Sequence, residues 1–312
     1  MKVSVIVCTY NRCDELRGTL TSLAASQVQN SFEWDVLVVD NNSTDQTRVV
    51  VEELSRTYPG RFRYIFEPIQ GKSWALNRGI REASGAILAF TDDDVKVDPS
   101  WLGNISAPLR DERYAGSGGR TLGPAGFTPP RWLAVDRPHS LAPLALFDRG
   151  FVPMDLEEPP YGNNMAYRKE VFERHGGFRT DLGPRPGMNC PQKSEDCEFG
   201  MRLLAAGERL RYVPSAVVYH SVPPHRLERK YFLSWSWDKA QSDFYIGESP
   251  VSMKMKIGGV SFVLFRRLAR WTLEWLISIE PSRRFDCKMK VWSLAGTIQA
   301  ARQLNYKHSS QH

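Results

Sequence analysis

The sequence predicts an α/β fold: a doubly wound, mostly parallel sheet flanked by helices, followed by a helical C-terminal appendage. Three observations lead there. Short apolar runs alternate with helical periods through the first part of the chain. Polar clusters stand where those runs end, and ligands of such sheets bind beyond the carboxyl ends of the strands. Basic and aromatic residues gather towards the C-terminus.

Val3 to Cys8 is a nearly continuous apolar run, as expected of a parallel strand covered on both faces. Asp14 to Ala25 carries Leu16, Leu20, Leu23 and Ala24 at helical spacing. Asp35 to Val39 reads as a second strand ending at Asp40, and Thr44-Asp45 opens a helix through Val49, Val50 and Leu54. Phe62 to Phe66 is a third strand. Trp74 to Ala83 is a helix stopped by Gly85, and Ala86 to Phe90 is the fourth strand. This rhythm implies right-handed crossovers.

Gly116 to Pro160 is rich in Gly and Pro and reads as long loops. Order returns over Gly162 to Gly176, with a helix near Lys169 to Arg174. Ser194 is placed to cap a helix that opens Glu195-Asp196 and ends at Gly207. Leu210 to Tyr219 is a further strand, ending at His220. The expected division is one domain over 1–222, with halves over about 1–100 and about 101–222. A basic, amphipathic helical region follows over 223–312.

A chain of 312 residues can bury a large core, and its composition is that of a soluble globular protein. The net charge of +6 is uneven: residues 251–312 hold 11 Lys/Arg against 3 Asp/Glu, leaving 30 against 32 before them. The five cysteines, Cys8, Cys13, Cys190, Cys197 and Cys287, are odd in number and form no C-x-x-C pair, which argues against a disulfide framework or zinc site and for a reducing compartment. The N-terminus starts on a strand pattern rather than a signal peptide, and no long uncharged apolar stretch predicts a transmembrane helix. A cytoplasmic protein is expected, peripheral on the inner face of the membrane.

The most informative run is Phe90-Thr91-Asp92-Asp93-Asp94. Three carboxylates this close repel unless a cation or a polyphosphate–metal complex neutralises them. A solvated turn explains the run equally well in isolation. Its company decides: Thr9-Tyr10-Asn11-Arg12 and Asp40-Asn41-Asn42-Ser43 end two neighbouring strands. There is no G-x-G-x-x-G fingerprint and no Walker A loop, so dinucleotide and P-loop readings lose their support.

In motif order the first 220 or so residues resemble the family 2 inverting glycosyltransferases, which have the GT-A fold. The matching stretches are Ser4 to Arg12, Val38 to Asp45, Gly71 to Gly79, the D-x-D element Asp92 to Asp94, Gly162 to Arg168, Glu195 to Phe199 and the strand-end His220. The resemblance implies a nucleotide diphosphate sugar donor and a Mn2+ or Mg2+ cofactor that steadies the leaving diphosphate. By the same resemblance the half over about 1–100 is the nucleotide-binding half and that over about 101–222 the acceptor half. It makes Asp94 the foremost metal ligand and His220 a further one, with Asp92 on the ribose or a metal-bound water. Asp93 joins the donor site. His225 is a weaker competitor for the metal.

Thr9 and Asp40 match residues that meet a uracil edge, which makes the donor UDP-linked. Tyr10, Asn11, Arg12, Asn42 and Asn77 fall in the same pocket motifs. Lys72 and Arg78 offer positive charge to base or phosphates, although solvated surface charge accounts for Arg78 as well. Asp196 matches the family's general base, with Glu195 orienting acceptor or base. A preference of helix N-termini for acids would explain the acidity alone, but not the placement after a long loop and before a His-ended strand. Asn163 and Asn164 match the loop lining the sugar and acceptor site, and Trp132, Tyr161 and Trp74 are candidates to stack on sugar rings.

The implied partners are the donor and a saccharide or polyprenyl-linked acceptor in surface polysaccharide assembly. Leu264, Leu268, Trp271, Trp275 and Ile279 form an apolar stripe opposite Arg266, Arg267, Arg270 and Glu274, as in a helix lying in a membrane interface. Docking on the catalytic domain or a homodimer contact would use the same stripe. Nucleic acid is a poor fit. The competing readings are a nucleotidyltransferase, recognisable by pyrophosphate release, and a sugar-binding scaffold without turnover.

Overall fold

β1 (Val3–Thr9), α1 (Cys13–Ala24), β2 (Trp34–Asp40), α2 (Thr47–Thr57), β3 (Phe62–Phe66), α3 (Lys72–Glu82) and β4 (Ile87–Thr91) follow one another along the chain. They come from a computed structural model that describes residues 1–28, 32–137, 140–184, 194–247, 256–257 and 260–309. β1 pairs in parallel with β2 and β4, and β2 with β3. Alternation then sorts side chains by face. Val5 and Val7 pack with Leu16, Leu20, Val50 and Val51 of α1 and α2, whereas Ile6 packs with Ala75, Leu76 and Ile80 of α3. Each fully buried leucine of α1 contributes roughly 1.5–3 kcal/mol.

The chain continues through β5 (Val95–Val97), α4 (Trp101–Ser106), β6 (Gly116–Leu122), β7 (Met154–Asp155), β8 (Met165–Arg168), α5 (Lys169–His175), α6 (Glu195–Ala205) and β9 (Leu210–His220). Among the described residues nine strands make one sheet, in the order β3-β2-β1-β4-β8-β6-β9-β5, with β7 also on β9. The first four strands are parallel. Beyond β4 the sheet is mixed, because β8 runs antiparallel to both β4 and β6, and β5 antiparallel to β9. α4 covers one face, and α5 and α6 the other.

The expectation of loops from Gly116 is corrected over Gly116–Leu122, which is the sheet strand β6. Its glycines are there because neighbours leave no room. A Cβ would meet the Tyr167 ring at 2.4 Å from Gly116, Pro160 at 2.2 Å from Gly118 and the Ala216 carbonyl at 2.0 Å from Gly119.

Two compact units emerge. The first comprises Met1–Gly126, Ala145–Met188 and Glu195–Ser221; the second comprises Phe127–Leu144, Asn189–Ser194 and Val222–His312. The second unit contains α7 (Arg229–Tyr245), α8 (Phe262–Ile277) and α9 (Pro281–Ser309). Of the stripe expected to face lipid, Leu264, Leu268, Trp271 and Trp275 are instead used for packing, whereas Ile279 is exposed. Leu264 and Leu268 meet Ile298, Ala301 and Leu294, the Trp275 and Trp292 rings lie 6.0 Å apart, and Lys290 sits 4.0 Å above Trp271. Cys8, Cys13 and Cys287 are free thiols, and Cys190 lies outside the described residues. Among the described residues no helix is long and apolar enough to cross a membrane.

Candidate active site

Parallel pairing brings the ends of β1, β2 and β4 to one edge of the sheet, with Thr9 opposite Asp40. The two loops that leave β1 and β2 are stitched together. Asn11 accepts the Thr44 N–H at 2.7 Å and its own N–H donates to Ser43 Oγ at 2.9 Å. Asn11 (φ 51°) and Asn42 (φ 69°) both take the left-handed conformation that asparagine tolerates. Asp40 is buried and accepts the Ser43 N–H at 2.9 Å and the Tyr64 hydroxyl at 2.7 Å. Tyr64, which sequence reasoning passed over, therefore sets the orientation of Asp40.

The acidic run leaves β4 at the same edge. Thr19 of α1 anchors it, with Oγ1 2.8 Å from the Asp93 carbonyl and accepting the Val95 N–H at 3.1 Å. Asp93 and Asp94 share the Arg12 guanidinium, at 3.1 and 2.9 Å. Burial, opposed by Arg12, pushes the Asp93 carboxyl up to about 6. Val95 lies opposite His220 in the β5–β9 ladder, and this pairing delivers the ring to the acidic run. His220 is buried, its Nε2 is 3.4 Å from Asp94 Oδ1, and its Nδ1 has no hydrogen-bond partner among the described residues.

His220 Nε2 and Asp94 Oδ1 face each other, and an imidazole nitrogen and a carboxylate oxygen so placed are donors a divalent cation accepts. Among the described residues no three His, Cys, Asp or Glu side chains form a metal cage. Asp94 and His220 are thus the two described residues placed to hold a divalent cation between them.

Lys72, in the first turn of α3, joins the acidic run to α6. Its Nζ donates to Asp92 Oδ1 at 2.7 Å and lies 3.8 Å from Glu195 Oε1. Burial alone would lower the ammonium's pKa, but the charges of Asp92 and Glu195 outweigh it and hold the pKa well above the usual lysine value. Glu195 is buried; burial and the Asp196 charge, opposed by Lys72, push its carboxyl up to about 7. Cys8 lies in the same cluster, and burial raises its thiol. The backbone before α6 is strained: Ser194 has φ 101°, costly for a residue with a Cβ.

Asp196 is held by backbone. Its Oδ2 accepts the Gly162 N–H at 2.7 Å and its Oδ1 the Cys197 N–H at 2.8 Å. The Gly162 loop is in turn tied to β4, because the Asn163 carbonyl accepts the Thr91 hydroxyl at 2.8 Å. Tyr161 packs its ring 4.9 Å from Phe147, and burial next to Asp196 raises its phenol pKa.

Several expected residues have their side chains spent elsewhere. Asn163 donates to the Ala145 carbonyl at 3.0 Å and accepts from Thr121 at 2.9 Å. Asn164 donates to the Arg120 and Ala216 carbonyls and accepts the Trp101 indole N–H at 2.8 Å. Asn77 makes two bonds to the Phe178 backbone, and Arg78 pairs with Glu82 at 3.1 Å. Tyr10 is half-buried at the end of β1 and Asn42 is exposed. Trp132 belongs to the second unit, edge-on to Phe232 and Phe285 at 5.2 and 4.6 Å. His225 lies in that unit too, against Tyr231.

Comparison with known proteins gives these residues a setting. The model of glycosyl transferase family 2 matches residues 4–176, and that of glycosyl transferase family group 2 matches residues 155–298. The succinoglycan biosynthesis protein ExoM of Rhizobium meliloti (strain 1021) is 30% identical over 227 residues, covering 72% of this chain and 69% of its own length. The glucosyl-dolichyl phosphate glucuronosyltransferase of Haloferax volcanii is 26% identical over 238 residues, covering 73% and 72%. The fold is that of the mannosyltransferase PcManGT from Pyrobaculum calidifontis, solved with GDP-Man and Mn2+, at a TM-score of 0.57 and 20% identity over 99% of this chain and 79% of that one. S. aureus TarS 1–349, solved with UDP-GlcNAc, aligns at a TM-score of 0.53 and 17% identity over 100% and 93%.

Proposed function

The chain belongs to glycosyl transferase family 2, and on that premise we propose that it moves a sugar, with inversion, from a nucleotide diphosphate sugar to a saccharide or lipid-linked saccharide in surface polysaccharide assembly. The observation that carries this reading is the double tie between its two acidic motifs: Asp92–Lys72–Glu195 on one side and Thr91–Asn163 with Gly162–Asp196 on the other. Donor-side and base-side carboxylates are thereby one rigid constellation, which a displacement at a single carbon requires.

Thr9, Asp40, Tyr10 and Arg12 bind the nucleoside; Asn11, Asn42 and Asn77 shape its pocket, and Arg78 lies at its margin. The resemblance at Thr9 and Asp40 favours uracil. Asp94 and His220 would hold Mn2+ or Mg2+, with Asp92 beside them. Such a cation, when bound, neutralises the charge that grows on the departing diphosphate. Lys72 adds a second positive charge on that side, and Arg12 moves between Asp93, Asp94 and the phosphates.

Asp196 removes the acceptor hydroxyl proton as the bond to the sugar forms. The Gly162 amide aims it. Glu195, with its carboxyl pushed up to about 7, is only partly ionised at neutral pH and so adds less than a full second negative charge beside the base. Tyr161 lines the acceptor side, and Asn163 and Asn164 hold the loop that carries it. The relatives' activities support a polysaccharide or glycan acceptor. ExoM is named for succinoglycan biosynthesis, and the archaeal relative acts on a dolichyl phosphate sugar.

The test is a screen of UDP- and GDP-sugars by thermal shift with Mn2+, followed by turnover of the best donor with and without the metal. A Mn2+-dependent release of nucleoside diphosphate supports the reading. Pyrophosphate release from a nucleoside triphosphate would replace it with nucleotidyl transfer.

A further inference from the structure

The second unit exposes an apolar cluster that neither its own packing nor the transferase site uses. On α8 the stripe Leu264, Leu268, Trp271 and Trp275 is spent on α9. At 100° per residue, Phe262, Arg266, Ala269, Arg270, Leu273, Leu276 and Ile277 fall on the opposite face, within about 120°. All seven are exposed, as is Arg267 at the edge of this face. The face is divided along its length: its first half carries arginines and its second half large aliphatic residues. Leu273 is 60% exposed, Leu276 63%, Ile277 63% and Ile279, in the turn before α9, 95%. Four large aliphatic side chains at one helix corner keep water ordered with nothing gained in return.

The surrounding charge is one-sided. Arg266, Arg267 and Arg270 on α8 and Arg283 and Arg284 in the first turn of α9 are exposed. Carboxylates from Phe262 onwards among the described residues are Glu274, Glu280 and Asp286. Glu274 accepts from Arg283 at 3.1 Å, and Asp286 pairs with Lys290 at 2.9 Å and with Arg137. An apolar tip collared by five arginines, of which Arg283 alone has a carboxylate partner among the described residues, fits a surface that is apolar within and anionic at its rim.

We propose that the α8–α9 corner inserts into the interface of a membrane that carries anionic lipid. Leu273, Leu276, Ile277 and Ile279 sit below the headgroups, and the five arginines lie at phosphate level. From Leu273 to Ile277 the helix advances about 6 Å, comparable with the depth of roughly 5–10 Å that interfacial helices reach. A second copy of the chain suits the corner less well, because a two-fold contact would press the same arginines together. The proposal is independent of the transferase chemistry: it concerns where the protein is held, through residues outside the site.

The experiment is co-sedimentation of the full chain with vesicles of phosphatidylcholine alone or mixed with phosphatidylglycerol, at low and high salt. Binding only to the anionic vesicles, weakened by salt, is expected. The double variant Leu276→Glu/Ile277→Glu should lower partitioning at least about tenfold with an unchanged Tm. Arg266→Gln/Arg270→Gln should lower the anionic preference and flatten the salt dependence. Should the first pair fail to fold, Ile279→Glu in the exposed turn carries the same test. Undiminished binding by the glutamate variants overturns the proposal. So does the absence of binding to anionic vesicles at low salt, or a dimer seen by light scattering that the glutamate variants dissociate.

Discussion

The Lys72 ammonium donates to Asp92 at 2.7 Å, so the first turn of α3 is fastened to the acidic run that leaves β4. The same ammonium lies 3.8 Å from Glu195, at the start of α6. One lysine thus holds two carboxylates whose mutual repulsion would otherwise open the edge of the sheet.

Lys72→Met leaves Glu195 buried without its cation. Because the Lys72 side chain is 27% exposed, the loss is that of a partly screened pair. Stability should fall by about 1–3 kcal/mol, read as a lower urea midpoint at constant m. Donor affinity should weaken in parallel. An unchanged midpoint would show that the contact is only local.

Glu195 predicts a pH dependence. Its pKa of about 7 in the folded protein lies above its ordinary value of 4.5. Between these values the native state keeps a proton that the unfolded chain releases, so the group's contribution to stability falls as pH rises from about 4.5 to about 7. Asp93, raised from 3.8 to about 6, acts in the same sense over the lower part. Thermal melts of Glu195→Gln should lose the decline between pH 6 and 7 and keep the earlier one. A decline of wild-type size in that window would refute the assignment.

Gly162→Ala tests how Asp196 is aimed. A Cβ there would lie 2.9 Å from Asp196 Oδ2 and 3.3 Å from its Cβ. The carboxylate must turn away, and a displacement of this size should cost about 10- to 100-fold in kcat with donor KM unchanged. A rise in KM without a fall in kcat would move Gly162 to the donor side.

His220→Ala should raise the apparent Kd for Mn2+ at least about tenfold when UDP is present. The measurement is Mn2+ titration by electron paramagnetic resonance, which needs no turnover. Equal affinity in variant and wild type would return His220 to a packed strand-end residue 3.4 Å from Asp94.

Much of this was legible in the sequence, for reasons that particular residues make plain. Phe62–Phe66 has the bounds read from its apolar run, and β1, α1, β2 and β4 differ from theirs by one or two residues. Two-sided burial writes an unbroken apolar run, and α1 writes its single buried face as Leu16, Leu20 and Leu23. β6 was illegible because Gly116, Gly118 and Gly119 are dictated by crowding from Tyr167, Pro160 and Ala216, distant in sequence. The α8 stripe looked the same whether it faced lipid or α9.

The site shows the same limit. The acidic motifs could be placed at strand and helix ends from spacing alone. The amides of Asn163 and Asn164 could not be told from ligand-facing ones, since their partners at Thr121, Ala145, Ala216 and Trp101 are set by the tertiary fold. Glycines beside the site carried a signal of their own: Gly162 lies where a Cβ would press on Asp196, and Gly183 where one would press on the Ser73 hydroxyl beside Glu195.

The most direct test is UDP binding and sugar turnover measured side by side, with Mn2+, in Asp94→Asn and Asp196→Asn. The account predicts that Asp94→Asn loses the Mn2+-dependent part of UDP affinity. Asp196→Asn should bind UDP within about twofold of wild type and lose roughly 10²- to 10⁴-fold in turnover. Near-wild-type turnover by Asp196→Asn would contradict it.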